Sequence, residues 1–253
     1  MWKRLCCCAL LVALAMGCAA ERPTKVPMDL IRDSAPGVGG KRTLFVMLPG
    51  VNDSPAAFAE HGFIQVLRDR RLPADVVAAD AHLGYYLDRT LIRRIDADIV
   101  APARASGYAR IWLVGISLGG MGALQYVRIH PEAVEGAILL SPFLGTTGVI
   151  AEVVRAGGLA FWQPGVIAPD DHERALLAWL KTYRPDDPRA PRLHLGYGRS
   201  DRFAEADGLL AQRLPQQRVL VVDGGHDWQT WTALWLQLLG QAGFVAEADA
   251  SRE

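Results

Sequence analysis

The sequence predicts an α/β protein with a doubly wound, mostly parallel sheet and helices on both of its faces. From residue 43 onwards, short apolar runs alternate with stretches of helical spacing. The runs are apolar at nearly every position, as expected of parallel strands that are buried on both faces. A third observation is the stretch from Arg110 to His130, in which a strand-like run leads through glycines directly into a run of helix formers.

The individual elements follow from these runs. Strands are predicted at 43–48, 75–79, 111–114, 137–140, 192–197 and 218–222, with a possible edge strand at 28–32. Helices are predicted from about 55 to 68 with an interruption near His61-Gly62, at 91–99 with an end or kink near Pro102, and at 121–127, 204–214 and 228–239. Because the chain has 253 residues and 51% hydrophobic content, it can bury a sizeable core, and we expect one globular domain over 43–253.

Residues 1–20 are predicted to be an export signal. Lys3 and Arg4 precede an apolar run that is shorter than the ~20 residues needed to span a bilayer. The end of the run, Ala15-Met16-Gly17-Cys18, resembles a bacterial lipoprotein cleavage box. We therefore expect a periplasmic or outer-membrane lipoprotein, anchored only through lipid on Cys18. Secretion after cleavage near Ala20 is the alternative, and 21–42 is predicted to be a tether with the possible edge strand.

Composition excludes several classes of site and partner. All 4 cysteines lie between Cys6 and Cys18, so the folded part offers no disulfide, thiolate zinc site or cysteine nucleophile. Lys+Arg and Asp+Glu are balanced at 27 each, and no dense basic tract suggests a nucleic-acid partner. Isolated acid–histidine pairs such as Asp80 with His82 are typical of solvated side chains, so no metal or organic cofactor is expected. The sequence gives no indication of the oligomeric state.

The segment from Gly145 to Pro191 interrupts the alternation of strands and helices. Its first part scatters apolar residues among glycines, and Leu176, Leu180 and Tyr183 then follow at helical spacing. Two interpretations fit. The segment is either one crossover helix with a long loop or a small cap-like insertion over the site, since loops of this length are often lids.

Ser117 is the candidate nucleophile. The run Gly115-Ile116-Ser117-Leu118-Gly119 matches G-x-S-x-G, in which the serine occupies a sharp strand-to-helix turn that presents its hydroxyl. The two glycines have a steric reason, because a Cβ at either position is expected to clash within the turn.

A serine needs a base to activate it and a third group to orient that base. Sites in doubly wound sheets form where the strands end, and Asp201 and His226 each follow a predicted strand, as Ser117 does. His82 also follows a strand, but it precedes the serine in the chain. Asp223 competes with Asp201 as the acid, but it is too close to His226 in sequence to orient that residue easily.

Two backbone N–H groups are predicted to form an oxyanion hole. One belongs to Leu118, directly after the nucleophile and at the start of its helix. The other is expected from the loop Pro49-Gly50-Val51-Asn52 that follows the first long strand, and the N–H of Val51 is our choice.

These motifs resemble those of the α/β-hydrolase superfamily, and in particular the small carboxylesterases of the esterase D type. The letters GISLGGMGAL around Ser117 are similar to the nucleophile turn of those enzymes, and GGHDW over 224–228 is similar to their histidine loop. The resemblance covers roughly 43–240 and implies an α/β-hydrolase fold and a serine hydrolase acting on small-molecule esters. Leu48-Pro49-Gly50 departs from the His-Gly opening that is common in the oxyanion loop, so the second donor is less well defined.

Fold and triad do not fix the acyl acceptor. An acyltransferase, a thioesterase or a peptidase could use the same three residues. A non-catalytic lipoprotein that keeps the fold as an interaction surface is the alternative from another class. The presence of all three groups argues against it, since a binding module does not need them.

Overall fold

A computed structural model describes residues 22–36 and 43–241. The predicted export signal with Cys18, the tether residues 37–42 and the residues after 241 lie outside the described part.

The described residues form seven strands and ten α-helices. The strands are β1 Leu30–Asp33, β2 Thr43–Leu48, β3 Ala74–Ala79, β4 Arg110–Ile116, β5 Gly136–Leu140, β6 Arg192–Gly198 and β7 Val219–Val222. The helices are α1 Ala57–Glu60, α2 Phe63–Asp69, α3 Leu83–Leu87, α4 Leu91–Ile95, α5 Ala101–Ala105, α6 Leu118–Ile129, α7 Thr147–Arg155, α8 His172–Thr182, α9 Ala204–Ala211 and α10 Trp228–Gln241. Every predicted strand is therefore present, and the structure confirms the α/β fold class.

The strands form one sheet in the order β1-β3-β2-β4-β5-β6-β7. Strand β1 lies at one end of this order and is the edge strand that was predicted before the first long strand. It is the only antiparallel strand among the described residues. The other six strands are parallel, so all of their carboxyl ends meet along the same edge. The serine, acid and histidine predicted to follow β4, β6 and β7 are thereby brought to one edge of the sheet.

The sheet is buried on both faces. Along β2, Leu44 and Val46 pack into the core on one face, and Phe45 and Met47 pack into the core on the other. Helices α4 to α9 cover the first face, and α2 with α10 covers the second. This two-sided burial explains why the strands read as continuous apolar runs in the sequence.

The helix that begins at Leu91 passes the proline at which it was expected to end or kink. Residues Asp96–Val100 form a π-helical turn, and α5 then continues through Pro102 to Ala105. A wider π turn is one way for a helix to take in a proline, since proline has no N–H to donate and its ring crowds the preceding turn.

The segment 145–191 contains two helices, α7 and α8. Val149, Ile150 and Val153 of α7 are buried in the core, as are Leu176 and Leu180 of α8. Helix α8 packs on α6, as a crossover helix between β5 and β6 does. A cap function for the segment stays a prediction. Among the described residues, no helix has the length and apolar character to cross a bilayer.

Candidate active site

Ser117 occupies a strained turn between β4 and α6. Its φ of 51° lies in the left-handed region that non-glycine residues rarely adopt. The turn requires the flanking glycines, because a Cβ at Gly115 would lie 2.4 Å from the carbonyl oxygen of Gly119. One at Gly119 would lie 2.1 Å from that of Leu48. The turn thus presses α6 against the end of β2 and places the serine at the sheet edge.

The three predicted site residues form one hydrogen-bonded chain. The His226 Nε2 atom lies 3.0 Å from the Ser117 Oγ. On the other side of the ring, Nδ1 lies 2.9 and 3.0 Å from the two carboxylate oxygens of Asp201. With a proton on Nδ1, the ring donates to the carboxylate, and Nε2 is left to accept the proton of the serine hydroxyl.

The side chain of Asp201 is fully buried, but it keeps its negative charge. Burial disfavours the ionised form, yet the hydrogen bonds from His226 and from the Phe203 backbone N–H hold the pKa of Asp201 below its usual value. A carboxylate at this position stabilises a positive charge on His226 when the ring takes up a proton.

Two aromatic rings fix the plane of the histidine. Phe203 meets the His226 ring edge-on at 4.8 Å, and Trp231 meets it at 5.0 Å and 90°. Trp231 is buried and Phe203 is half-buried. The imidazole is therefore held by packing as well as by its two hydrogen bonds.

The predicted oxyanion donors lie close to the serine. Neither the Leu118 N–H nor the Val51 N–H has an acceptor among residues 22–36 and 43–241. Leu118 is the first residue of α6, where N–H groups have no intrahelical partner. An added Cβ at Gly50 would lie 3.8 Å from that of Ser117, so the loop of Val51 passes directly beside the serine.

A hydrogen bond that the sequence did not reveal joins the two loops of the site. The Trp228 Nε1 atom donates to the Asp53 carboxylate at 3.0 Å, although the two residues are 175 positions apart. The Trp228 ring also stacks on His61 at 4.3 Å. Asp53 follows the oxyanion loop and Trp228 follows the histidine, so this bond ties the loop of Val51 to that of His226.

The rival side chains have other partners. His82 is buried, accepts from the Gly84 N–H at 3.1 Å and packs on Tyr85. Asp223 points into solvent with 97% of its side chain exposed, and it pairs with Arg199 at 3.2 Å. Within the described residues, no group of three histidine, cysteine, aspartate or glutamate side chains is placed to hold a metal ion.

Fold and site geometry together define the class of protein. A parallel sheet with a strained serine between a central strand and its helix, and with an acid and then a histidine after two later strands, is the α/β-hydrolase arrangement. A family model described as "Putative esterase" matches residues 78–241, which is more than half of the chain. The chain belongs to this esterase family.

Solved structures support the fold. A fluorophosphonate-binding serine hydrolase F of Staphylococcus aureus is 15% identical, with a TM-score of 0.56 over 86% of this chain and 92% of that chain. An S-formylglutathione hydrolase from the same species is 14% identical, with a TM-score of 0.53 over 80% of each chain. A monoacylglycerol lipase of Paleococcus ferrophilus is 15% identical, with a TM-score of 0.53 over 87% and 98%. No curated protein matches the sequence.

Proposed function

We propose that the protein hydrolyses carboxylic esters through an acyl-enzyme on Ser117. The observation that carries this proposal is the hydrogen-bonded chain from the Ser117 hydroxyl through His226 to the ionised Asp201. Each link lies at ordinary hydrogen-bond distance without any movement of the chain. Membership of the esterase family supports the same reaction class.

The first half of the reaction transfers the acyl group to the enzyme. The Ser117 oxygen attacks the ester carbonyl, and His226 Nε2 takes the hydroxyl proton. When the tetrahedral intermediate collapses, the same nitrogen returns that proton to the leaving alcohol. In the second half, His226 takes a proton from the water that attacks the acyl carbonyl, and it returns this proton to the Ser117 oxygen as the bond to the acyl group breaks and the carboxylic acid leaves.

The negative charge on the carbonyl oxygen needs donors that are in place beforehand. The N–H groups of Leu118 and Val51 supply them, since both border Ser117 and neither has an acceptor in the part of the chain that the structure describes. The positive dipole end of α6 adds to the stabilisation at the same point.

The substrate we propose is a small-molecule ester with an apolar portion. Phe143 and Phe203 lie 5.5 Å apart, both half-buried, and Phe203 is in contact with His226. The Phe143 N–H donates to the Ser117 carbonyl, so the pair borders the serine as well. Half-buried aromatic rings beside a reacting centre provide an apolar wall for the acyl or alcohol group.

A fluorophosphonate probe tests this function. The purified protein should be labelled on Ser117 and should hydrolyse esters of graded acyl length. Ser117→Ala should lose both properties and keep its melting temperature. Labelling without ester hydrolysis would favour one of the other triad reactions, and no labelling of the folded protein would contradict a serine nucleophile.

We also propose that the protein is exported and anchored by lipid on Cys18. The support is the charged start, short apolar run and Ala15-Met16-Gly17-Cys18 box of the sequence. Metabolic labelling with a fatty-acid analogue should mark the wild type, and Cys18→Ser should abolish the label. A mature protein that starts at Glu21 without label would contradict the anchor and leave export standing.

A further inference from the structure

A groove with a volume of about 700 Å³ lies along α6, away from the triad. Its walls are α3 with the start of α4, the outer side of α6, and residues 168–173 at the start of α8. None of the three triad residues lines it. The groove has the volume of a small-molecule site.

The groove has an apolar floor. Leu91, Ile92, Met121 and Ile129 are its larger aliphatic side chains. Ile129 is 47% exposed and presents apolar surface at the end of α6. A ligand that covered this floor would remove apolar surface from water.

The acidic side chains on the rim already have partners. Asp171 accepts from Arg174 through both its oxygens, at 3.0 and 2.6 Å. Glu173 accepts from the backbone N–H and the hydroxyl of Thr146, at 2.9 and 2.8 Å. Asp170 lies 3.9 Å from Arg89. These contacts account for every carboxylate that lines the groove.

Unlike these carboxylates, the charged side chain of Arg128 has no partner among the described residues. None of residues 22–36 and 43–241 forms a hydrogen bond or ion pair with its guanidinium, and its Nε atom is buried without an acceptor. Burial lowers the pKa of Arg128, and no carboxylate among the described residues counteracts this shift. A partly desolvated guanidinium with no counter-charge is costly, and an anion in the groove could pair with its terminal N–H groups.

The length of the groove along α6 limits the size of a ligand that it can hold. Arg128 lies seven residues after Met121 on the same helix, which corresponds to about 10 Å along the helix axis. Both residues line the groove, and Ile129 of the floor follows Arg128 directly in the chain. Two arginines line the groove, and because Arg89 faces Asp170, Arg128 is the one left to pair with the charged head of a molecule whose chain lies along the floor.

We propose that this groove is a binding site for a small amphipathic carboxylate, whose head pairs with Arg128 and whose tail covers the apolar floor. A head with one negative charge matches Arg128, which alone among the described arginines of the groove has no partner. The site is separate from the proposed hydrolysis and does not depend on it.

Calorimetric titration of the purified full chain tests the site with three probes. Decanoate has both the charge and the chain, decanol has only the chain, and acetate has only the charge. Decanoate should bind at least about tenfold more tightly than either of the others, since charge-assisted hydrogen bonds and apolar burial each contribute at this scale. Equal binding of decanol and decanoate would overturn the proposal, and so would no binding of decanoate.

A matched pair of variants locates the head group. Arg128→Gln should weaken decanoate binding at least about tenfold, and Arg128→Lys should restore part of it. Arg93→Gln removes the same charge from an exposed position on α4 outside the groove and should leave the affinity unchanged. Melting temperatures establish that each variant is folded. Unchanged affinity in folded Arg128→Gln would overturn the assignment of the head group.

The remaining rival site for decanoate is the catalytic centre itself. Protein whose Ser117 carries a fluorophosphonate adduct should bind decanoate with the same affinity as untreated protein. Loss of binding after labelling would place the carboxylate at Ser117 and overturn the groove. Failure of the label to react would instead contradict the proposed function, and the Arg128 variants would still decide the groove on untreated protein.

Discussion

Two buried carboxylates that lie six positions apart, Asp201 in the turn after β6 and Asp207 in α9, respond differently to burial. Asp201 and Asp207 are both removed from solvent. Asp201 accepts hydrogen bonds from His226 and from the Phe203 N–H, and its pKa is lowered. Neither oxygen of Asp207 has a partner among the described residues, and burial together with the charge of Asp201 raises its pKa well above the usual value.

The difference teaches that hydrogen-bond donors, and not burial alone, decide which carboxylate stays charged. The raised pKa of Asp207 favours its neutral form, whereas the lowered pKa of Asp201 favours the charge behind His226. If Asp207 were ionised as well, its negative charge would repel that of Asp201 at short range. Substituting each acid in turn tests this division of roles.

The largest effect is expected for Asp201→Asn. The amide has no negative charge, and its NH2 group favours the wrong histidine tautomer, so kcat should fall by as much as roughly 10⁴-fold, by analogy with serine proteases. Asp223→Asn is the matched control, since Asp223 is exposed, and it should retain nearly full kcat. Comparable losses in the two folded variants, measured by ester hydrolysis, would mean that Asp201 is not the orienting acid.

An intermediate effect is expected where Asp53 joins the oxyanion loop to Trp228. Asp53→Ala and Trp228→Phe each remove this bond, worth about 1 kcal/mol, and should lower kcat about fivefold with little change in KM. Asp53→Asn keeps an acceptor and should stay near the wild type. In the double variant Asp53→Ala/Trp228→Phe the losses should not add, and full additivity would show that the bond does not position the loop.

The smallest effect on turnover is expected for Asp207→Asn, which should change stability instead. Because the folded-state pKa of Asp207 lies above its unfolded value of about 3.9, folding takes up a proton between the two values. The stability of the wild type therefore falls as the pH rises through that window. Asparagine does not titrate, so Asp207→Asn should have the higher melting temperature at pH 7, by an amount that shrinks towards pH 4. A lower melting temperature than that of the wild type at pH 7 would mean that Asp207 is ionised.

The sequence was sufficient for the parts of the site that local pattern determines. The glycines around Ser117 predict the strained turn, and parallel strands bring the positions after β4, β6 and β7 to one edge. The bond between Asp53 and Trp228 has no such signal, because it joins residues 175 positions apart through side chains alone.

Other features depended on tertiary packing. The helix continues past Pro102 because a π turn precedes it, which no residue pattern indicated. In the segment 145–191, two helices bury apolar residues in the core where periodicity had revealed only one of them. The lack of a partner for Arg128 likewise became visible only once its neighbours were in place.

The most direct test of the account compares ester hydrolysis by the wild type, Ser117→Ala, His226→Ala and the double variant under one set of conditions. Because the triad acts as a unit, each single substitution should cost nearly as much as both together, on the order of 10⁶ in kcat. The three variants should share a residual rate above that of the reaction in water, since the N–H groups of Leu118 and Val51 remain. Equal turnover by Ser117→Ala and the wild type would contradict the serine nucleophile and the enzyme mechanism built on it.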